Sequence, residues 1–195
     1  MAKPLFLFVG KSSSGKTTIA NVLETQCGYK QVESYTTRPP RYEGERGHIF
    51  ITEKEFYNLG ELAAYTYYNK NHYGTTFEHL NKCDIYVIDV PGVNSLLEKL
   101  KNTDRPVFIF YFDTSVHNRI LRMQERGDGD YAIVRRLLQD EEYDWQSKLE
   151  SIVWKQVNIE NKHVEMFCVD ANKKQPDVLK QVLYYIRKLN GDCYE

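Results

Sequence analysis

The chain has 195 residues, 42% of them hydrophobic and 27% charged, with a formal net charge of −1, the size and balance of a single globular domain. So small a charge excludes a chain-wide attraction to nucleic acid or to an anionic membrane, and any basic site has to be local. The first apolar run, Leu5 to Val9, is far shorter than a signal-peptide core or a membrane span, so the expected location is the cytoplasm.

In chain order, apolar β-rich runs alternate with helical patterns, which predicts parallel strands joined by crossover helices. Strands are expected at 5–9, more weakly at 30–35, and at 85–90, 107–112 and 164–169. Helices are expected at 16–25, 93–101, 115–126, 131–154 and 175–189. Runs that are apolar on both faces, such as Val107-Phe108-Ile109-Phe110-Tyr111-Phe112, suit a sheet covered by helices on both sides. Residues 36–82 break the rhythm and read as an inserted lobe, and Arg126-Gly127-Asp128-Gly129-Asp130 reads as a turn between two helices. Cys27, Cys83, Cys168 and Cys193 lie far apart, with no paired spacing, and are expected to be free thiols.

The strongest motif follows the first strand. Gly10-Lys11-Ser12-Ser13-Ser14-Gly15-Lys16-Thr17 satisfies the phosphate-loop pattern between a strand and a helix, and these residues, with Thr18 following, are expected to bind ATP. Its glycines let successive N–H groups curl around phosphate oxygens at the positive end of a helix dipole. Lys16 is expected to reach the β- and γ-phosphates of ATP and the Thr17 hydroxyl to ligand Mg²⁺. The fold expected around it is the α/β P-loop NTPase fold, a five-stranded parallel sheet flanked by helices.

A second concentration of chemistry lies at Ser34-Tyr35-Thr36-Thr37-Arg38-Pro39-Pro40-Arg41. The guanidinium fork suits a bidentate grip on phosphate, and the prolines hold the chain extended so that both forks can face one anion. Asp89, at a strand's carboxyl end, is placed to face the crevice of an open parallel sheet or to cap the next turn.

On these residues the chain resembles the guanylate kinase family. The phosphate loop, the 34–41 block, Tyr73-Gly74-Thr75, Ile88-Asp89 with Gly92, and Arg122, Arg126-Gly127 and Arg136-Leu137 fall in that family's order, up to about residue 138. The resemblance implies an ATP-dependent nucleoside monophosphate kinase using Mg²⁺ and acting on the phosphate of GMP or a related nucleotide. It implies that Arg38, Arg41 and Tyr73 bind the acceptor phosphate and that Ser34 and Thr75 contact its base. Asp89 would serve the base edge or Mg²⁺-bound water, and Arg122, Arg126 and Arg136 would be lid arginines acting with Lys16 in catalysis. The division that follows is a core of 1–35, 83–120 and 160–195, an acceptor-binding lobe of 36–82 and a lid of 121–140.

Three departures fall near the acceptor. Ala64 stands where the family carries a guanine-reading glutamate, His48 where it carries a phosphate-binding tyrosine, and the turn from Arg126 to Arg136 is one residue shorter. A histidine there could still donate to phosphate, with a charge that follows pH. Ribose 1,5-bisphosphate phosphokinases are similar too, through Arg38-Pro39, Gly44-Glu45-Arg46-Gly47-His48-Ile49 and Leu62-Ala63. Another phosphorylated acceptor is therefore the alternative, followed by a non-catalytic binding module and by hydrolysis without an acceptor. The expected partners are ATP and a phosphorylated small molecule, with neither nucleic acid nor membrane, and the sequence leaves the oligomeric state open. Of the remaining features, Tyr65-Thr66-Tyr67-Tyr68-Asn69 is expected to pack in the lobe's core, His72 and His79 to lie on the surface, and Glu141, Glu142 and Asp144 to form a solvated helix face.

Overall fold

A computed structural model describes residues 3–141, 144–158 and 163–190. The chain opens with β1 (Leu5–Val9) and α1 (Lys16–Cys27), then runs through β2 (Ser34–Thr36), β3 (His48–Phe50), α2 (Glu53–Tyr57), β4 (Leu62–Tyr68), β5 (Asn71–Thr76) and α3 (Phe77–Asn81). It continues with β6 (Ile85–Val87), α4 (Val90–Lys99), β7 (Val107–Asp113), α5 (Val116–Glu125) and α6 (Asp130–Glu141). It closes with α7 (Trp145–Asn158), β8 (Val164–Asp170) and α8 (Gln175–Asn190).

Side chains of a strand point alternately to opposite faces, and β1 uses both. Leu5, Leu7 and Val9 join Ile109 and Tyr111 on one face, covered by Val93, Leu96 and Leu97 of α4 and Leu149 of α7. Phe6 and Phe8 join Phe108, Phe110 and Phe112 on the other, covered by Ile19 and Leu23 of α1 and by Val178, Val182 and Ile186 of α8. The phenylalanines on this second face meet edge-on, stacked or tilted, as in the pairs Phe8 with Phe110 and Phe6 with Phe108, geometries that aromatic quadrupoles favour. The result is a parallel sheet in the order β6-β1-β7-β8 between two helical layers.

This sheet has four strands rather than the expected five. The segment at 30–35 touches its edge only through a parallel bridge from Gln31 to Ile85. From Ser34 onward the chain leaves that edge and pairs with β3 and β5 instead. The inserted segment thus has a sheet of its own, in the order β3-β2-β5-β4. Its β4–β5 hairpin turns through Asn69 and Lys70, both at positive φ (49° and 61°), the backbone that a two-residue hairpin turn requires. The short helix α2 is set by a capping box between Thr52 and Glu55.

The helical pattern at 131–154 forms two helices, α6 and α7. The described thiols Cys27, Cys83 and Cys168 are free, and Cys193 lies outside the described residues. Among the described residues no helix is long and apolar enough to cross a membrane.

Phe110 is fully buried and meets Phe6, Phe8, Phe167 and Tyr185. Phe110→Ala is therefore expected to lower stability by about 3–5 kcal/mol, measured by urea unfolding.

Candidate phosphotransfer site

The phosphate loop leaves the carboxyl end of β1 and turns into α1. Gly10 sits at φ +154°, and a β-carbon there would come 2.8 Å from the Phe112 carbonyl oxygen, so the loop can lie against β7 only with glycine at this position. The ammonium of Lys16 is folded back into its own loop, donating to Gly10 O at 2.7 Å, Lys11 O at 2.9 Å and Ser14 Oγ at 3.2 Å. Burial lowers its pKa to about 8, with the negative charge of Asp140 working in the opposite direction.

Between the two sheets lies a cavity of about 270 Å³. Gly10, Ser12 and Lys16 line it from the loop, and Ser34, Arg41, His48 and Tyr73 line it from the second sheet, with Asp89 at the carboxyl end of the parallel sheet. Ala64, Tyr65, Thr66, Tyr68 and Tyr86 complete its wall on that side. A second cavity, of about 700 Å³, opens on the other side of the loop between Ser13, Ser14, Gly15, Thr18 and Arg122 and the chain from Ala171 to Gln175. The loop therefore divides two spaces, one large enough for a nucleotide base and sugar, the other facing the arginines of the insertion. Thr17 is exposed in the first turn of α1.

Asp89 stands both at a helix start and at the cavity. It caps α4, Oδ1 accepting from Gly92 N–H at 2.8 Å, and the same atom accepts from Thr66 Oγ1 at 2.9 Å while the residue lines the cavity. Burial raises its pKa despite these bonds. Ser34 donates to Tyr86 Oη at 3.2 Å. Thr75 is fully buried on β5 opposite Ala64, with no hydrogen-bond partner for Oγ1, and is absent from the cavity wall.

The arginines come in counter-charged sets. Arg38 grips Glu45 with two bonds, at 2.9 and 3.1 Å, and lies 5.3 Å from the centre of the Phe50 ring. It is held behind the cavity wall rather than in it. Glu45 also accepts the Arg41 backbone N–H at 2.7 Å and pairs with the Arg41 side chain at 3.6 Å. Arg126 and Arg136 share the carboxylate of Asp128, whose pKa is lowered by the Arg126 hydrogen bond and by the nearby charges of Arg136 and Arg41. Burial and the charges of Arg38 and Arg126 lower the pKa of Arg41, and Arg136 in turn feels Arg126 and Arg41. The two sets are thus electrostatic neighbours, and their four arginines outnumber the two carboxylates. Arg122 points elsewhere, donating to Ser13 O at 3.3 Å and Ala171 O at 2.6 Å at the edge of the larger cavity.

Several residues differ from what the sequence led us to expect. His48 is not a group whose charge tracks neutral pH, because burial and the Arg38 and Arg41 charges lower its pKa to about 4. His72 is buried, between the hydroxyls of Tyr57 at 3.2 Å and Tyr65 at 2.9 Å. Tyr65, Tyr67 and Tyr68 are exposed rather than packed in a core, and Tyr65 and Tyr68 border the cavity. Glu141 and Asp144 are exposed as expected, and Glu141 also pairs with Lys11 of the phosphate loop at 2.9 Å; Glu142 lies outside the described residues. Glu45, Asp128, Arg119 and Asp140 were missed, although Arg119 and Asp140 carried a signal. Each is a charged residue on the inward stripe of its helix, Arg119 four positions before buried Met123 and Asp140 seven after buried Ile133.

A phosphate loop at the carboxyl end of a parallel sheet, with an inserted lobe facing it that brings Arg41 to the shared cavity, defines a P-loop α/β protein of the nucleotide-binding kind. No protein-family model matches the chain. A guanylate kinase of Lactobacillus acidophilus is 31% identical over 163 residues, covering 72% of this chain and 78% of that protein. A guanylate kinase of Neisseria meningitidis is 31% identical over 147 residues, covering 69% and 70%. One of Geobacter metallireducens is 30% identical over 146 residues, covering 68% and 70%. The crystal structure of guanylate kinase from Anaplasma phagocytophilum shares the fold, with a TM-score of 0.56 at 17% identity over 96% of this chain and 86% of that one. The chain belongs to the guanylate kinase family.

The low pKa of His48 has a consequence for stability. Its value of about 4 in the folded chain lies below the ordinary 6.5, so between those values the unfolded chain binds the extra proton. The contribution of His48 is complete above pH 6.5 and is lost as the pH falls toward 4. Urea unfolding at pH 7 and pH 4.5 should show that loss, and His48→Gln should reduce it.

Proposed function

We propose that the protein is an ATP-dependent nucleoside monophosphate kinase, a phosphotransferase moving the γ-phosphate of ATP to the phosphate of GMP or a related nucleotide. The observation that carries this reading is the shared cavity, in which the loop lysine and the arginine-bearing sheet face one another across about 270 Å³. The family relationship supports it.

Phosphoryl transfer requires little covalent chemistry from a protein, so positioning and charge carry the catalysis. In this assignment the larger cavity takes the adenosine of ATP, with Arg122 at its edge, and the loop amides take its phosphates. Lys16 exchanges its bonds to Gly10 O and Lys11 O for phosphate oxygens. Arg41, neutral His48 and Tyr73 receive the acceptor phosphate, and Arg38, fixed on Glu45, adds charge from behind. Ser34 and Asp89, which line the cavity, address the remainder of the acceptor, and Thr75, absent from its wall, does not. Arg126 and Arg136, held open by Asp128, act from a lid of residues 121–140 and turn to the transferring phosphate as the charge on it grows. The insertion, residues 36–82, serves as the acceptor-binding lobe.

The Thr17 hydroxyl and, through water, the Asp89 carboxylate are hard oxygen donors of the kind that suits Mg²⁺, which is commonly held by one or two protein groups together with substrate phosphates. When bound, Mg²⁺ would neutralise charge on the β- and γ-phosphates.

Ala64 gives a specific reason to test a second acceptor class. It is buried, borders the cavity and offers no side-chain hydrogen bond, so a base edge facing it would go unread. ADP release from ATP should be measured against GMP, AMP and ribose 1,5-bisphosphate. GMP or another nucleoside monophosphate is expected to turn over fastest. Preference for the sugar phosphate would move the assignment to that class, and release without any acceptor would refute transfer.

Two further outcomes follow from the geometry. Lys16→Ala should lower kcat/KM by at least about 10²-fold, and Arg136→Ala should lower kcat by about 10³-fold or more. Because the Lys16 ammonium is charged only below about pH 8 in the free chain, kcat/KM for ATP should fall as the pH rises through that value.

A further inference from the structure

Arg119 of α5 lies outside the roles assigned so far, yet it is the largest side chain with no exposure at all. Its guanidinium is directed at a single residue of the phosphate loop. Nε donates to Ser12 O at 2.9 Å, and Nη2 is hydrogen-bonded to Asp140 Oδ2. The same carboxylate oxygen accepts the Ser12 backbone N–H at 2.9 Å. The ion pair thus brackets both backbone groups of Ser12, and Ser12 and Lys16 line the cavity assigned above to phosphate transfer.

Two features set this arrangement apart from a simple buried brace. Arg119 Nη1 is buried with no hydrogen-bond partner, its nearest carboxylate being Glu141 at 3.6 Å. A guanidinium placed only to hold helices together would be expected to have its donors satisfied, because an unmet buried donor is costly. In addition, a carboxylate oxygen between a loop N–H and a guanidinium makes the contacts that a phosphate oxygen would make there, and a tetrahedral phosphate has further oxygens for the unmet donor.

We propose that the Ser12 N–H and the Arg119 guanidinium form a seat for a terminal phosphate oxygen of ATP, and that the Asp140 carboxylate fills this seat in the ligand-free chain. The inference rests on the assignment of ATP to the phosphate loop. Arg119 then becomes a phosphate-binding residue, and Asp140 an internal competitor that the nucleotide displaces. The neighbours of Asp140 extend the consequence. Gln139 accepts from Tyr68 Oη at 2.9 Å and donates to Asn69 Oδ1 at 3.2 Å, both at the tip of the β4–β5 hairpin, and Glu141 holds Lys11. Three successive residues of α6 therefore join the phosphate loop to the second sheet. Displacing Asp140 shifts the last turn of α6 and alters its hold on the lobe.

The test is calorimetric titration of the whole chain with Mg·ATP at pH 6.5, below the value of about 8 to which burial lowers the Lys16 pKa. Wild type, Asp140→Asn, Asp140→Ala and Arg119→Met are compared, with urea unfolding as the check on folding. Removing a competitor raises apparent affinity by the reciprocal of the fraction of sites it had left open, so both Asp140 variants should bind at least about threefold more tightly. Arg119→Met should bind at least about tenfold more weakly. The isosteric Asn variant carries the test if the Ala variant does not fold. A folded Asp140→Asn chain with unchanged or weaker ATP binding would overturn the proposal and make Asp140 a brace. No binding of ATP to wild type would overturn the ATP assignment itself, and this proposal with it.

Discussion

The ammonium of Lys16 lies inside its own loop, shared among Gly10 O, Lys11 O and Ser14 Oγ, and the surrounding structure is organised about that charge. The loop can close on it because β1 ends beside β7 at a glycine that tolerates the Phe112 carbonyl. β1 in turn occupies an interior position of the sheet, with five phenylalanines from β1 and β7 buried on one of its faces. A rigid, fully covered strand thus places a cation where the parallel sheet opens, which is where ligands of open α/β sheets bind. Under the proposed function, an incoming phosphate replaces the hydrogen bonds that Lys16 makes to Gly10 O and Lys11 O.

The same logic recurs at each cationic group near the cavity. Arg38 and Arg41 are held by Glu45, Arg126 and Arg136 by Asp128, Arg119 by Asp140, and Lys11 by Glu141. Under the proposed function, these carboxylates hold the cationic groups that the nucleotide phosphates would otherwise engage. This reconciles a strongly basic local site with a net charge of −1, and it keeps buried or crowded guanidinium groups paired before ligand arrives. Asp128 and Asp140 lie at either end of the segment that bears Arg136, the segment proposed as the lid.

Much of this was legible in the sequence wherever the determinants are local. The phosphate loop reads directly because strand, glycines, lysine and helix are contiguous, and Asp89 reads as both cap and crevice residue because a strand end and a helix start coincide there. The fifth strand did not form as expected because the chain at 30–35 is shared between two sheets, with one bridge to the first and full pairing in the second. His48 looked like a group titrating near neutrality because its neighbours Arg38 and Arg41 reach it only through the folded lobe. Glu45 and Asp128 were passed over because a lone acidic residue in a charged loop is usually solvated. Arg119 and Asp140 meet Ser12 across 107 and 128 positions, a separation that no local pattern encodes, although their place on inward helical stripes was visible.

The central claim is that donor and acceptor phosphates meet in the cavity between the loop and the arginine-bearing sheet. The most direct test is the affinity of one molecule that spans both sides, an adenosine and a guanosine joined through five phosphates, compared by calorimetry with ATP and GMP alone. If the two sides face one another as described, joining the ligands makes the second contact intramolecular, and the linked molecule should bind at least about 10²-fold more tightly than the better of the two. An affinity no greater than that of ATP alone would show that the two sides do not engage one phosphate chain, and would contradict the account.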